Sequence, residues 1–201
     1  MKVGIFGGSF DPIHNGHIRL ARYVLEHTDL DEVWLMVSPR NPLKDHGPIA
    51  SDDQRLEMAR IAVEGIPGLK VSDFEFSLPI PSYTYLTLTE LKKAYPDIDF
   101  RLIIGADNWA SFDRWRNPHE ILDGFGLIVY PRPGDPLTLD PSHLPLDPSR
   151  LTLLAAAPQM PVSSTRIREM LSRGSDAATL LPASVLSYIH SNRVYSRSTT
   201  C

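Results

Sequence analysis

Two glycines followed by two histidines near the start of the chain limit what it can fold into. Lys2-Val3-Gly4-Ile5-Phe6 reads as a short buried strand, because β-branched and aromatic residues run without alternation until Gly7-Gly8 stops them. Beyond the turn, Ile18, Leu20, Ala21, Val24 and Leu25 recur at the spacing of one helical face. His14 and His17 therefore fall in the opening turn of a helix and point the same way. Such a strand, glycine turn and helix start favour an anion, since glycine admits close approach and the first-turn N–H groups carry the positive end of the helix dipole. Phosphate is the anion expected. The dipole also disfavours a protonated imidazole, so both rings are expected to be neutral, directional donors to oxygens on which charge grows during displacement at phosphorus. A single histidine here would ordinarily be a cap or a solvated side chain; the pair after Gly-Gly is what points to phosphate.

The rest of the composition narrows the classes. A chain of 201 residues, 42% apolar and 22% charged, is long enough for one well-buried domain and short for two. We read 1–195 as one domain, monomeric or the protomer of a homo-oligomer, with 196–201 a frayed polar tail. The net charge of −4 argues against bulk nucleic-acid binding and suits a small phosphorylated substrate. The one cysteine, Cys201, allows neither an intramolecular disulfide nor a cysteine-based zinc site, as expected in a reducing cytoplasm. With no basic segment leading into an apolar one and no stretch near ~18 apolar residues, neither secretion nor membrane spanning is expected.

Taken in order, the chain alternates strands and helices. Glu32–Val37 is a second buried strand, and the proline-broken loop 39–48 after it contains Lys44, a solvated charge by default. Ser51-Asp52-Asp53-Gln54 opens a helix as a capping box, with Leu56, Ala59 and Val63 inward. A weak strand at Leu69-Lys70-Val71 leads to a stiff proline stretch and a helix striped by Leu88, Leu91 and Tyr95. Tyr83 and Thr84 stand at that helix start, where Thr84 is either a donor-bearing site or simply the N-cap. Asp99–Ile104 is a strand that delivers Gly105 and Asp107 to the sheet edge, where Asp107 either accepts from a ribose hydroxyl or caps a short segment. Trp115, between Arg114 and Arg116, is either a stacking platform for a heteroaromatic ring or an ordinary half-buried side chain. Gly126–Tyr130 is a strand, 131–148 is a proline-rich insertion holding six of the eighteen prolines, and Leu151–Leu154 resumes the sheet. An amphipathic helix is expected to run from Leu181-Pro182 to Val194-Tyr195.

The second informative stretch is Pro161-Val162-Ser163-Ser164-Thr165-Arg166-Ile167-Arg168. Hydroxyl residues cap a helix, yet two arginines occupy its first turns, where the dipole disfavours positive charge. A bound polyanion would reverse that sign, and hydroxyls, free N–H groups and a guanidinium fork together suit a triphosphate.

Gly8-Ser9-Phe10-Asp11-Pro12-Ile13-His14-Asn15-Gly16-His17 resembles the first motif of the nucleotidyltransferase superfamily, and Val162–Arg168 resembles its second. The G-x-G-x-x-G spacing of dehydrogenases is absent. Within the superfamily the resemblance is to the bacterial nicotinate mononucleotide adenylyltransferases and covers nearly the whole chain, through Asn41-Pro42-Leu43-Lys44, Pro81-Ser82-Tyr83-Thr84, Ile104–Asp107, Phe112–Trp115 and Pro131-Arg132-Pro133-Gly134. It implies an α/β, Rossmann-like doubly wound fold with a mostly parallel sheet and helices on both faces. The implied reaction is adenylyl transfer from ATP to nicotinate mononucleotide, with Mg²⁺ accompanying ATP. It further implies catalytic roles for His14, His17 and Arg168; ATP contacts from Gly7, Gly8, Ser9, Phe10, His14, Gly16, His17, Lys44, Gly105, Asp107, Ser163, Ser164, Thr165 and Arg168; and acceptor contacts from Tyr83, Thr84, Asp107, Trp115 and Arg132. A related transferase acting on nicotinamide mononucleotide, phosphopantetheine or a CTP-dependent substrate would share both phosphate motifs, and a nucleotide sensor would bind ATP without releasing pyrophosphate.

Overall fold

The computed structural model describes residues 1–39, 49–134, 137 and 147–196. Six strands form one sheet in the order β3-β2-β1-β4-β5-β6: β1 (Lys2–Gly8), β2 (Glu32–Val37), β3 (Leu69–Ser72), β4 (Asp99–Gly105), β5 (Leu127–Tyr130) and β6 (Leu151–Leu153). Every pairing is parallel, with Val3 opposite Glu32 on one side of β1 and Lys2 opposite Asp99 on the other. The expected doubly wound α/β architecture is the one observed. Because the order runs outward from β1 in one direction and from β4 in the other, the loops leaving these two strands part company. The crevice so opened at their carboxyl ends is where ligands bind in such sheets.

Helices cover both faces. Side chains from α1 (Asn15–Glu26), α2 (Asp52–Val63), α6 (Ser164–Ser172) and α7 (Ala183–Ser191) pack with Phe6, Leu35 and Ile103 on one side. Those from α3 (Thr84–Ala94) and α5 (Pro118–Gly124) pack with Ile5, Leu102 and Ile104 on the other. Successive residues of a strand thus feed opposite cores, which is why β1 and β4 read as continuous apolar runs. Leu88 and Leu91 are wholly buried, each contributing about 1.5–3 kcal/mol of transfer free energy. A one-turn helix, α4 (Ala106–Trp109), follows β4 directly.

Two expected elements differ. The stripe of α3 stops at Leu91: the helix ends at Ala94, and Tyr95 is its half-exposed C-cap, with its ring edge-on to Trp34 at 5.5 Å. The C-terminal helix ends at Ser191 instead of running to Tyr195. There Arg193 takes a left-handed φ of 52°, its N–H donates to His190 O (3.2 Å), and Val194 N donates to Ile189 O (3.0 Å). This is a Schellman stop with arginine where glycine is usual, so no glycine marked it in the sequence. The same stop closes α6 with Gly174 at φ 70°, Ser175 N donating to Met170 O. Loop residues 40–48, with Lys44, and most of the 131–148 insertion lie outside the described residues, as does the tail beyond Ser196.

Candidate active site

The loop between β1 and α1 packs on its own side chains. Phe10 sits at φ 46°, a left-handed conformation uncommon for a bulky residue, and its buried ring meets Phe6 edge-on at 5.8 Å and His17 at 5.0 Å. His14 is the N-cap residue of α1 and His17 its third helical residue. Their rings stack with centroids 3.6 Å apart and planes 17° apart. The His14 backbone N–H donates to His17 Nδ1 at 3.2 Å. A backbone N–H can only donate, so Nδ1 of the neutral His17 ring is an acceptor and its proton sits on Nε2. His14 is 5% exposed, and its Nδ1 has no hydrogen-bond partner among the described residues.

Both imidazoles are held toward the neutral form, and the leading cause is burial. Desolvation, opposed by a backbone hydrogen bond and aided by the nearby charge of Arg132, pushes His14 down to about 4. Burial, the neighbouring His14 and Arg132 together hold His17 well below the ordinary imidazole value.

A cleft of about 320 Å³ opens over this pair. Its lining includes Gly7, Gly8, Ser9, Phe10, His14, Gly16 and His17 from the first motif, Ser163 and Ser164 from the second, and Arg132 from the loop after β5. A Cβ on Gly7 would meet nothing within 4 Å, so space is left above the backbone there. A Cβ on Gly16 would lie 2.9 Å from Val162 Cγ1, which is how closely the two motifs approach. Asn15 N donates to Leu180 O (2.9 Å), Ser164 Oγ to Pro12 O (2.9 Å) and Arg168 Nη1 to Asp11 O (2.7 Å), the last pair 157 residues apart in the chain.

The hydroxyls of the second motif also make bonds within the fold. Ser163 Oγ caps α6 by accepting from Arg166 N at 3.3 Å, Ser164 Oγ is the donor to Pro12, and Thr165 Oγ1 accepts from Arg168 Nη2 at 3.3 Å. Ser163 and Thr165 accept in these bonds and keep their own O–H groups as donors, beside the open end of α6 and its guanidinium. Thr165 and Arg168 are not among the residues lining the cleft; Arg168 lies one turn beyond Ser164 on the same helical face, half-buried against Asp11. Arg166 is exposed and donates to Pro161 O at 3.3 Å.

On the β4 side, Asp107 pairs with Arg132 (Oδ1 to Nε, 3.3 Å), and Arg132 Nη2 donates to the Tyr130 hydroxyl at 3.1 Å. Gly105 is the N-cap position of α4, so Asp107 is not the cap. A Cβ on Gly105 would collide with Asp107 Oδ1 and fall 2.7 Å from Arg132 Nε, so the glycine is what lets this pair lie across the strand end. Tyr83, not Thr84, occupies the N-cap position of α3, without a side-chain cap bond, and Thr84 is the first helical residue. Arg116 lies 4.8 Å over the Tyr83 ring. Trp115 is half-buried, tilted against Phe112 at 5.4 Å. Tyr83, Thr84 and Trp115 stand outside the lining of the phosphate-side cleft.

Three supporting residues escaped the sequence reading. Arg55 is fully buried and donates to Ser9 O (2.6 Å), Ser38 O (2.7 Å) and Asp52 Oδ1 (2.6 Å), pinning the ends of β1 and β2 together. Its position four residues before Ala59, within the buried stripe of α2, was the available signal. Asp11 is 2% exposed and accepts from Ile49 N (2.9 Å), Ala50 N (3.1 Å) and the Tyr195 hydroxyl (2.7 Å). Buried Glu75 accepts from Thr87 Oγ1 at 2.8 Å, and burial pushes its carboxyl above the ordinary range.

The chain is similar to known proteins. Residues 5–170 match the cytidylyltransferase-like family. A Bacteroides fragilis protein named as a probable nicotinate-nucleotide adenylyltransferase is 48% identical, over 92% of this chain and 89% of its own. A Rhodopirellula baltica protein of the same name is 38% identical, over 96% and 92%. Among solved structures, Plasmodium falciparum nicotinic acid mononucleotide adenylyltransferase complexed with NaAD superposes with a TM-score of 0.75 at 20% identity, covering 96% of this chain and 97% of that one. The same enzyme complexed with APC gives 0.73 at 19%, covering 96% of each. Likeness at that identity speaks to the fold.

Proposed function

Because the chain belongs to the cytidylyltransferase-like family and, within it, to the nicotinate-nucleotide adenylyltransferases, we propose that it transfers the adenylyl group of ATP to nicotinate mononucleotide in NAD biosynthesis, acting in the cytoplasm. The observation that carries this reading is the meeting of the two motifs around one cleft, with neutral stacked histidines on one side and the start of α6 on the other.

A phosphate oxygen of the acceptor attacks the α-phosphorus of ATP, the bond from that phosphorus to the bridging oxygen breaks, and pyrophosphate leaves with the electron pair. The attacking group is already an anion, so no general base is needed, and positioning with charge stabilisation supplies the acceleration. His17, with its proton on Nε2, donates to an α-phosphate oxygen, and buried neutral His14 holds its ring in place. Arg168 and Lys44 take the β- and γ-phosphates, and Gly7 and Gly8 let the backbone approach the nucleotide. Arg132 and Asp107 exchange their mutual pair for contacts to the dinucleotide product as it forms. Trp115 stacks on the pyridine ring, while the start of α3 at Tyr83 and Thr84 supplies donors to the pyridine carboxylate, which an amide satisfies less well.

Among the described residues no group of three or more histidine, cysteine, aspartate or glutamate side chains is placed to hold a metal. The imidazoles, amides and guanidinium of the cleft suit phosphate oxygens and not a bare hard cation, which prefers oxygen ligands. The site therefore fits a magnesium–ATP complex whose metal keeps phosphate oxygens and water as its ligands. Bound in that way, Mg²⁺ supplies neutralisation of the leaving pyrophosphate. Among the described residues no helix is long and apolar enough to cross a membrane.

A panel of ATP or CTP against nicotinate mononucleotide, nicotinamide mononucleotide and phosphopantetheine, read by pyrophosphate release, tests the assignment. The expected result is turnover with ATP and the nicotinate acceptor at the highest kcat/KM. Preference for another pair would reassign the substrate, and ATP binding without pyrophosphate from any pair would make the protein a sensor.

A further inference from the structure

Past the end of α7 the chain does something its helix period does not ask for. The Schellman stop at Arg193 and a second left-handed residue, Tyr195 at φ 64°, turn the backbone inward and bury the Tyr195 side chain to 8% exposure. Four non-glycine residues have positive φ among the described residues; one is Phe10 in the first motif and two are this turn. Holding the chain in such conformations requires compensating contacts. Here Val194 and the Tyr195 ring join the core, and Tyr195 Oη donates to Asp11 Oδ1 at 2.7 Å, across 184 residues of sequence.

Asp11 is where that contact matters. Its Oδ1 accepts from Tyr195 and from Ala50 N, and its Oδ2 accepts from Ile49 N and lies 3.5 Å from Arg168 Nη1. The same Nη1 donates to the Asp11 backbone oxygen at 2.7 Å. Arg168 is thus held by a hydrogen bond to the Asp11 backbone oxygen and, through a longer ion pair, by a carboxylate whose rotation is fixed by three other donors. The groups facing the tyrosine hydroxyl are Asp11, Arg168 and Arg55, and burial beside the Asp11 carboxylate pushes the phenol far above its ordinary value, so it stays a donor.

We propose that Tyr195 is a positioning residue for the nucleotide's phosphate tail: through Asp11 it fixes the guanidinium of Arg168 beside the first motif. This rests on the placement of Arg168 at the β- and γ-phosphates given above. Tyr195→Phe removes the hydroxyl and keeps the ring, so Asp11 turns more freely and Arg168 loses its single orientation. The loss falls on ATP and spares the acceptor, whose contacts come from α3 and the loop at Trp115. By linkage, ATP must in turn tighten the tail, slowing hydrogen exchange around Val194 and Tyr195 in the native protein and less so in the variant.

The experiment measures affinity for a non-hydrolysable ATP analogue, the KM of each substrate and thermal stability, for the full-length protein, Tyr195→Phe, Arg168→Ala and the double variant. The expected result is about tenfold weaker analogue binding and ATP KM in Tyr195→Phe, an unchanged KM for nicotinate mononucleotide, and little further loss when Tyr195→Phe is added to Arg168→Ala. Wild-type analogue affinity in Tyr195→Phe, an equal loss for both substrates, or full additivity with Arg168→Ala would overturn the proposal. Should Tyr195→Phe not fold, hydrogen exchange of the wild type decides: slower exchange at Val194 and Tyr195 on adding the analogue is the expected result, and unchanged exchange there would overturn the proposal. Analogue binding needs no acceptor, so an inactive wild type would count against the adenylyl-transfer reading while the comparison of affinities still decides the role of Tyr195.

Discussion

The imidazole of His17 lies against that of His14 at 3.6 Å and accepts the His14 backbone N–H on Nδ1. One contact thereby sets both the orientation of the ring and the nitrogen that carries its proton, leaving Nε2 as the donor. Removing it is predicted to affect turnover far more than folding. His17→Ala should lower kcat by roughly 10²–10³, the range for loss of one charge-stabilising donor, with circular dichroism unchanged. Near-normal pyrophosphate release by this variant would take His17 out of the chemistry.

The buried pair also makes the protein sensitive to acid. In the unfolded chain a histidine titrates near 6.5, whereas in the native state His14 sits at about 4 and His17 is lowered as well. Between those two values the unfolded state binds more protons, so stability falls as pH drops from about 6.5 toward 4. Glu75, raised by burial, contributes with the opposite sign above the ordinary carboxylate range. A comparison of wild type with His14→Asn isolates the histidine. The slope of melting temperature against pH in that window should be shallower in the variant, and an equal slope would contradict the assignment.

Arg55 holds Ser9 and Ser38 from within the core. Arg55→Met keeps much of the volume but removes the buried charged donor shared by the part-buried Ser9 and Ser38 carbonyls, each such bond contributing about 1.5–3 kcal/mol, while the partly exposed Asp52 can hydrate. Urea unfolding should show a loss of roughly 2–6 kcal/mol. Affinity for ATP should fall too, because Ser9 belongs to the cleft.

Gly105→Ala tests the pairing that crosses the end of β4. The added methyl would press on Asp107 Oδ1 and Arg132 Nε, so the pair must open. Since φ at Gly105 is −77°, alanine fits the backbone, and the expected loss is in nucleotide KM, about tenfold, with a melting temperature near wild type. A large drop in stability with unchanged KM would make Gly105 a packing residue alone.

The parts of the molecule that follow a local rule were legible in the sequence. Unbroken apolar runs marked β1, β2, β4 and β5, and Ser51 with Gln54 formed the capping box the spacing announced, Gln54 N donating to Ser51 Oγ at 3.2 Å. His14 and His17 came together because three residues make nearly one helical turn. What could not be read depends on partners distant in sequence. Tyr195 looked like one more turn of an amphipathic helix because the stop at Arg193 uses no glycine. Asp11 looked like a motif letter because its four partners lie on three other segments. The Ser163 cap was legible as a hydroxyl at a helix start, whereas the bond from Ser164 Oγ to Pro12 O was not, because only the folded chain brings Pro12 to it. A helix start made neutral histidines legible, but their burial was not, since burial is a property of the whole fold.

The central claim is that the two ends of the chain close on one nucleotide's phosphate tail. A crystal structure of this protein with α,β-methylene ATP tests it most directly. The account predicts an α-phosphate oxygen within hydrogen-bond distance of His17 Nε2 and a β,γ-phosphate path running past the start of α6 to Arg168. Analogue density whose phosphates lie away from both the imidazole pair and that helix start would contradict it.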